Sequence, residues 1–289
     1  SEGAFEALGS VIFPGEYTGY AVGEAGTILK TIDGGMSWSA LSSGVTNNLL
    51  SVYFTDVATG CVVGDDIILK TTDAGLTWNI IDPDSAYLTS VYFTDENNGF
   101  AVGRDYKSYM GVILKTTNGG LSWTNTIIDT TALLSSVFFP DANTGYSVGS
   151  CTILKTIDAG YTWTCIYHYG LDWGPFFTSV FFTDVNNGFA VGVQYPSNGI
   201  IWRTNDGGIN WTSQGIAKRP LNSVFFTDAN TGYAAGSYGT IVKTAHTNCL
   251  MLRKEWLDKI DGPFDIRLNF SGGEDSYLTS IISSRGGLI

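Results

Sequence analysis

The sequence is poor in the residues that usually do chemistry. Only two histidines, His168 and His246, occur in 289 residues, so imidazole triads and histidine metal sites have little to draw on. The four cysteines, at 61, 151, 165 and 249, are scattered rather than set at bridge or zinc-knuckle spacing, which predicts free, buried thiols. A Cys151–Cys165 bridge would be offset by about three residues across its hairpin, too far for an unstrained disulfide. Positive charge is scarce as well: 15 Lys and Arg against 27 Asp and Glu leave a net charge of −12. Such a surface repels phosphate backbones and anionic lipid, so neither nucleic acid nor a membrane is an expected partner. No run of 18 apolar residues is present, and the opening SEGAFEALGS has no basic region followed by an apolar stretch. No Gly-x-Ser-x-Gly elbow and no phosphate-binding glycine loop can be found. Helical periodicity is missing from residues 1–245.

What the chain does have is repetition. KTIDGGMSW (30–38) returns as KTTDAGLTW (70–78), KTTNGGLSW (115–123), KTIDAGYTW (155–163) and RTNDGGINW (203–211). The tryptophans Trp38, Trp78, Trp123, Trp163 and Trp211 lie 40, 45, 40 and 48 residues apart, a period that suits propeller blades or solenoid units. A second motif keeps step: SVYFTD at 51 and 90, SVFFPD at 136, SVFFTD at 179 and 223. A Gly-x-x-x-Gly run follows each, as in TGYAVG (18–23) and NGFAVG (98–103). These short segments, rich in β-branched and aromatic residues and bounded by Gly, Asn or Asp, read as four antiparallel strands per unit.

The expected fold is therefore an all-β propeller of four-stranded antiparallel blades, a single domain over residues 1–289. Repeat units fall at about 11–50, 51–89, 90–135, 136–178, 179–222 and 223–247. Residues 248–289 form an atypical tail, with Tyr277–Ile281 echoing Tyr87–Val91. Seven blades are expected, the last closed by the two termini; six blades, with the tail an extension, is the alternative.

In the recurring turn the Asp carboxylate can accept backbone N–H groups ahead of it, and the second glycine supplies a positive φ. The motif resembles the Asp box, or bacterial neuraminidase repeat, with Asp33, Asp73, Asn118, Asp158 and Asp206 in the box position and a tryptophan expected to pack on the neighbouring sheet. The Asp-x-Asn-x-Gly segments at 95 and 184 look like the start of a calcium loop but lack its bidentate glutamate, so they read as turns and no metal or other cofactor is expected. Together the three motifs are similar to those of the photosystem II stability and assembly factor-like propellers, over residues 11–245. That resemblance implies a binding or assembly scaffold, often exported, and hence an extracytoplasmic location. It also implies an arginine-rich patch, whereas the six arginines here are scattered.

Sialidase-like enzymes also carry Asp boxes, but the Arg-Ile-Pro motif of that resemblance is missing, and the chain is too short for the two propellers that flank a xyloglucanase-like cleft. No catalytic residues are assigned. A non-catalytic scaffold for a protein or glycan partner is expected, with a glycan-active enzyme as the alternative. Three insertions, at 104–111, 165–177 and 193–199, are expected to share one face and to gather Arg104, Tyr106, Lys107, Tyr109, Tyr167, His168, Tyr169, Asp172, Trp173 and Tyr195. Exposed tyrosine and tryptophan are the residues of interface hot spots and sugar platforms. The competing reading is that they only cap the blades.

Overall fold

The computed structural model describes residues 6–128, 133–168, 174–229, 231–245 and 249–252. They form six four-stranded antiparallel sheets, each with its strands in chain order. The first contains Leu8–Ile12, Gly19–Gly23, Ile28–Thr31 and Ser39–Leu41. The second contains Leu49–Phe54, Gly60–Gly64, Ile67–Thr71 and Asn79–Ile81. The third is Ala86–Phe93, Gly99–Asp105, Gly111–Thr116 and Thr124–Ile128. The fourth is Leu134–Phe138, Gly145–Gly149, Thr152–Thr156 and Thr164–His168. The fifth is Phe176–Phe182, Gly188–Gln194, Asn198–Thr204 and Thr212–Ala217. The sixth is Leu221–Phe226, Thr231–Gly236, Thr240–Ala245 and Cys249–Leu252. Blades 1 to 3 fall in one compact unit and blades 4 to 6 in another.

The described residues thus form six four-stranded propeller blades, which corrects the expected seven. Leu8–Ile12 is the first strand of blade 1 itself, with Ser10-Val11-Ile12-Phe13 in the motif position and Gly15 in place of the closing Asp, so the amino-terminal segment is not left over for a closing blade. Cys249–Leu252 pairs with Thr240–Ala245 and completes blade 6 without an Asp turn. The rest of the expected closing segment, including Tyr277–Ile281, lies outside the described residues.

Each motif has a packing reason. In every blade the first strand carries a register shift just before its Ser-Val pair, between Leu49 and Ser51 in blade 2. The bulge presses backbone against backbone: a Cβ on Gly64 would sit 2.1 Å from the Asn48 carbonyl oxygen. At the other end of the same strand a Cβ on Gly60 would meet the Phe54 ring at 2.6 Å. The Gly-x-x-x-Gly pattern therefore marks two close approaches, one to a bulge and one to a ring.

The serine after the bulge joins neighbouring blades. Ser10 Oγ accepts the N–H of Val52 at 3.3 Å, and Ser51 Oγ accepts that of Val91 at 3.2 Å. In the second unit Ser136 receives Val180 at 3.3 Å and Ser179 receives Val224 at 3.2 Å. The aromatic positions interlock the same blades. Tyr20 stacks on Phe54 of the next blade with centroids 3.7 Å apart, and Tyr146 stacks on Phe182 at 3.8 Å. The tryptophans depart from expectation. Each is half-buried and meets edge-on the phenylalanine that follows its own blade's first strand or ends it: Trp38 on Phe13, Trp78 on Phe54, Trp123 on Phe93, Trp163 on Phe139 and Trp211 on Phe182, at 5.9 to 6.3 Å. In blades 2 and 5 the face of that phenylalanine is taken by the preceding blade's tyrosine, and the tryptophan meets its edge.

Tyr20 and Lys30 then bond the next blade's Asp turn, the Tyr20 hydroxyl donating to the Ala74 carbonyl at 3.2 Å and Lys30 Nζ at 3.0 Å. Tyr146 and Lys155 do the same at Gly207, at 2.8 and 2.6 Å. Blade 2 has Cys61 where these blades have tyrosine. Burial pushes its thiol up to about 12 and lowers the pKa of the adjacent Lys70. Cys151 and Cys165 are also free, half-buried and exposed respectively.

The Asp turn is closed by its own side chains. Thr71 Oγ1 donates to Asp73 at 2.8 Å and accepts the Gly75 N–H at 3.0 Å; the Thr77 N–H and hydroxyl donate to the two carboxylate oxygens at 2.9 and 2.6 Å. Asp33, Asp158 and Asp206 repeat the scheme with Ser37, Thr162 and Asn210. At Asn118 the amide instead donates to Ser122 at 2.9 Å. The hydroxyl bond first, then the backbone bond, hold Asp33, Asp73 and Asp158 down to about 2.

Two expectations follow. Ser51→Ala leaves the buried Val91 N–H without an acceptor and should cost about 1–3 kcal/mol, whereas Ser213→Ala, on an exposed strand, should stay within about 0.5 kcal/mol. Thermal melts of the two variants check this, and equal melting temperatures would refute it. Because the box carboxylates titrate lower when folded, their stabilisation is complete above the ordinary value of 3.8 and is lost as pH falls towards about 2. A variant with Asp33, Asp73 and Asp158 all changed to Asn should therefore melt with a flatter pH dependence in that window than the parent chain. Parallel curves would show that the boxes are not the acid-sensitive element.

Candidate functional site

Within each blade the Asp turn and the hairpin between strands one and two lie at one end. The Gly34 N–H donates to the Tyr17 carbonyl, Ala74 to Ala58, Gly119 to Asn97, Ala159 to Asn143 and Gly207 to Asn186, at 2.8 to 3.0 Å. The turns between strands two and three therefore lie at the opposite end, and there the blades differ most.

In the first unit the feature at that end is the turn of blade 3. Its strands run long, with Arg104 paired to Gly111 and to Tyr87. The turn braces itself: Tyr109 N–H donates to the Asp105 carbonyl at 2.9 Å, and the Asp105 carboxylate accepts the Ser108 N–H and hydroxyl. Those bonds from Ser108 lower the Asp105 pKa. Tyr106 is half-buried, its hydroxyl donating to Asp65 in the short turn of blade 2 and its ring lying edge-on to Tyr87 at 6.2 Å. Burial first, then the Asp65 bond, raise its pKa and keep it a donor. Lys107 pairs with Asp84 at 2.8 Å, both largely in solvent, so the pair contributes little. Asp65, Tyr87 and Asp84 thus join the residues expected from the insertion.

Arg104 and Tyr109 have no such structural partners. The guanidinium lies 5.4 Å over the Tyr109 ring, and its Nε is buried without a hydrogen-bond partner. Tyr109 is 61% exposed and sits at φ 60°, a left-handed conformation that costs a non-glycine residue roughly 1–2 kcal/mol. The second unit repeats the device. Arg219 lies 4.7 Å over Tyr238, which is 84% exposed and also at φ 60°. Sequence reading passed over that pair because its turn, Ser237–Gly239, is minimal; a tyrosine just before Gly239 was the available signal.

The other expected residues are placed differently. Tyr167 points inward, its ring 5.0 Å from Trp202 and 6.1 Å from Phe177, since the fourth strand of blade 4 continues through it. His168 is exposed at the end of that strand, opposite Thr152. Tyr195 is 66% exposed in the turn between strands two and three of blade 5. Tyr169, Asp172 and Trp173 lie outside the described residues. Among the described residues no three His, Cys, Asp or Glu side chains gather into a metal-binding group, and no helix is long and apolar enough to cross a membrane.

Replacing Tyr109 by Gly removes the left-handed strain and should hold or raise stability, by up to about 1 kcal/mol. A lower melting temperature would mean that the tyrosine supports the fold rather than being carried by it.

Comparison with known proteins bears on the repeat and on the fold. Residues 6–87 match the family model described as photosynthesis system II assembly factor YCF48. No curated protein sequence matches significantly. Among solved structures, YCF48 bound to a D1 peptide superposes with a TM-score of 0.65 at 16% identity, over 85% of this chain and 80% of that one. YCF48 from Cyanidioschyzon merolae gives a TM-score of 0.51 at 18% identity, over 83% of this chain and 95% of that one. An ancestral GH74 enzyme gives 0.72 at 15% identity, over 88% of this chain but only 39% of the enzyme. The family model thus matches the first two blades, and along most of its length the chain is similar in fold to the YCF48 propellers.

Proposed function

We propose that this chain is a non-catalytic scaffold that binds a protein partner, and that the blade 3 turn carrying Arg104 and Tyr109 is part of its recognition surface. The observation that carries the reading is the Arg104–Tyr109 pair: a left-handed, exposed tyrosine under a guanidinium whose buried Nε has no hydrogen-bond partner among the described residues. Strain of this kind persists where binding has use for it, and tyrosine and arginine are the residues that dominate interface energies. The YCF48 structure with a bound peptide supports a protein as the partner class. The scattered arginines do not support a photosystem-assembly role as such. The export common among proteins with these motifs supports an extracytoplasmic setting.

The test is affinity capture from the extracytoplasmic fraction of the native host, with the wild-type chain and an Arg104→Ala/Tyr109→Ala double variant as baits. A specific protein partner should be retained by the wild type and depleted roughly tenfold or more by the double variant, since each anchor contributes about 1–3 kcal/mol. Equal recovery on both baits would remove this turn from the interface. A parallel screen with xyloglucan and chromogenic glycosides separates the enzymatic reading: turnover that a single acidic substitution abolishes would overturn the scaffold assignment.

A further inference from the structure

The Asp-turn end of the first unit carries a feature that the turns themselves do not require. Within KTIDGGMSW the bonds are made by Thr31, Asp33, Gly35 and Ser37. The residue before the Ser or Thr takes no side-chain part, and any polar residue would serve. It is instead apolar in each Asp turn of this unit and almost wholly in solvent: Met36 is 86% exposed, Leu76 76% and Leu121 62%. Ile32, in the first of these turns, is 74% exposed. Single exposed apolar residues are ordinary, but the same tip position being apolar in three consecutive blades is not explained by the fold. The second unit, taken by itself, keeps the pattern with Tyr161 at 73% and Ile209 at 77%.

Charge tells what can cover these tips. Asp33 and Asp73 lie in the turns, and Asp56 and Asp95 in the hairpins at the same end. Their carboxylates are all held in the ionised form by hydrogen bonds, and the pKa of each is lowered. The lysines of the third strands lie beneath this rim rather than on it, and of them Lys70 acts on Asp56. Lys30 donates to the Ala74 carbonyl, Lys70 is 3% exposed, and Lys115 lies 5.8 Å from the Phe100 ring centre. An acidic rim around apolar tips repels a second copy of a chain of charge −12, as it repels nucleic acid and anionic lipid. It complements a polypeptide in which lysine or arginine alternates with apolar side chains.

We propose that the Asp-turn end of the first unit is a docking surface for a basic, apolar-bearing polypeptide segment, separate from the Arg104–Tyr109 turn at the opposite end of blade 3. The probe is a fluorescently labelled peptide of alternating lysine and leucine, titrated by anisotropy into the full chain, with a glutamate–leucine peptide as its counterpart. The lysine–leucine peptide should bind saturably and more weakly as salt is raised, and the glutamate–leucine peptide should not bind. A Met36→Ser/Leu76→Ser/Leu121→Ser variant should bind the lysine–leucine peptide roughly tenfold or more weakly, with an unchanged melting temperature because the tips are in solvent. Undiminished binding by that variant would reduce the effect to diffuse charge attraction and overturn the proposal. So would binding of neither peptide, or salt-dependent dimerisation of the wild type through these residues. The Arg104→Ala/Tyr109→Ala variant should bind the peptide as the wild type does, so this result and the partner-capture result stand or fall independently.

Discussion

The first strand of each blade is a sheet edge, and alternate N–H groups along it face away from their own sheet. A buried donor of that kind must find an acceptor or lose about 1–3 kcal/mol. Here the acceptor is a serine hydroxyl on the preceding blade, set 40 to 45 residues earlier in the chain. Much of the repeat can be read as the means of placing that oxygen. The bulge before Ser51 offsets the strand, and Gly64 has no Cβ so that the offset strand can close against it. Valine, β-branched and stiff, follows the serine and fills the gap between sheets. A steady period is then a physical requirement, because each hydroxyl must meet the same N–H one blade along.

A second linkage runs beside this one and explains the aromatic spacing. Phe54 is covered on its face by Tyr20 from blade 1 and at its edge by Trp78 from its own blade. Phe182 is held likewise by Tyr146 and Trp211. Offset stacking on one side and an edge-on contact on the other are the two favoured arrangements for aromatic pairs. The tyrosine hydroxyl continues past the ring to the Asp-turn carbonyl, so turn and core are tied through one side chain. Blade 2 lacks this tie because Cys61 has neither ring nor hydroxyl. There the Ser51–Val91 bond is kept, and Tyr53 and Lys70 reach Phe93 in place of the missing tyrosine.

These features differ in how readable they are from sequence. Strand and turn positions were legible because period-2 patterning and turn residues are local properties, and the Asp turn was legible down to its bonds. The number of blades was not. Leu8–Ile12 forms a first strand whose Ser-Val-Ile-Phe run ends in Gly15 where other blades have Asp, and Cys249–Leu252 forms a fourth strand without an Asp turn, because pairing to a preformed neighbour needs only backbone groups. The direction of the tryptophans was also hidden, since it depends on where the phenylalanine at the end of the first strand stands in the folded sheet. At the opposite end, turn length proved a poor guide. The long insertion at 165 yields a half-buried Tyr167 that packs against the core, whereas the minimal turn at 237 displays Tyr238, 84% exposed; one criterion fixes both, whether the strand continues through the residue. The partners Asp65 and Tyr87 come from other segments, and no local pattern announces such contacts.

The two ends of a blade are under different constraints. At the Asp-turn end nearly every polar side chain is committed to closing the turn, which leaves the tip residue as the one position free to vary in chemistry. At the other end the connections between strands two and three carry few internal bonds and differ in length from blade to blade. Variation there can extend to backbone conformation as well as side chain, and the left-handed tyrosines Tyr109 and Tyr238 are its outcome. The same turn position is left-handed and non-glycine in blades 1, 2 and 4 as well, at Ala25, Asp66 and Cys151, so the conformation belongs to the turn rather than to the tyrosines. Both tyrosines are solvent-exposed and both lie beneath an arginine, so burial of the rings cannot be what offsets the strain. The turn's own bonds hold that conformation, as the Tyr109 N–H does on the Asp105 carbonyl at 2.9 Å, and this leaves the ring projecting into solvent.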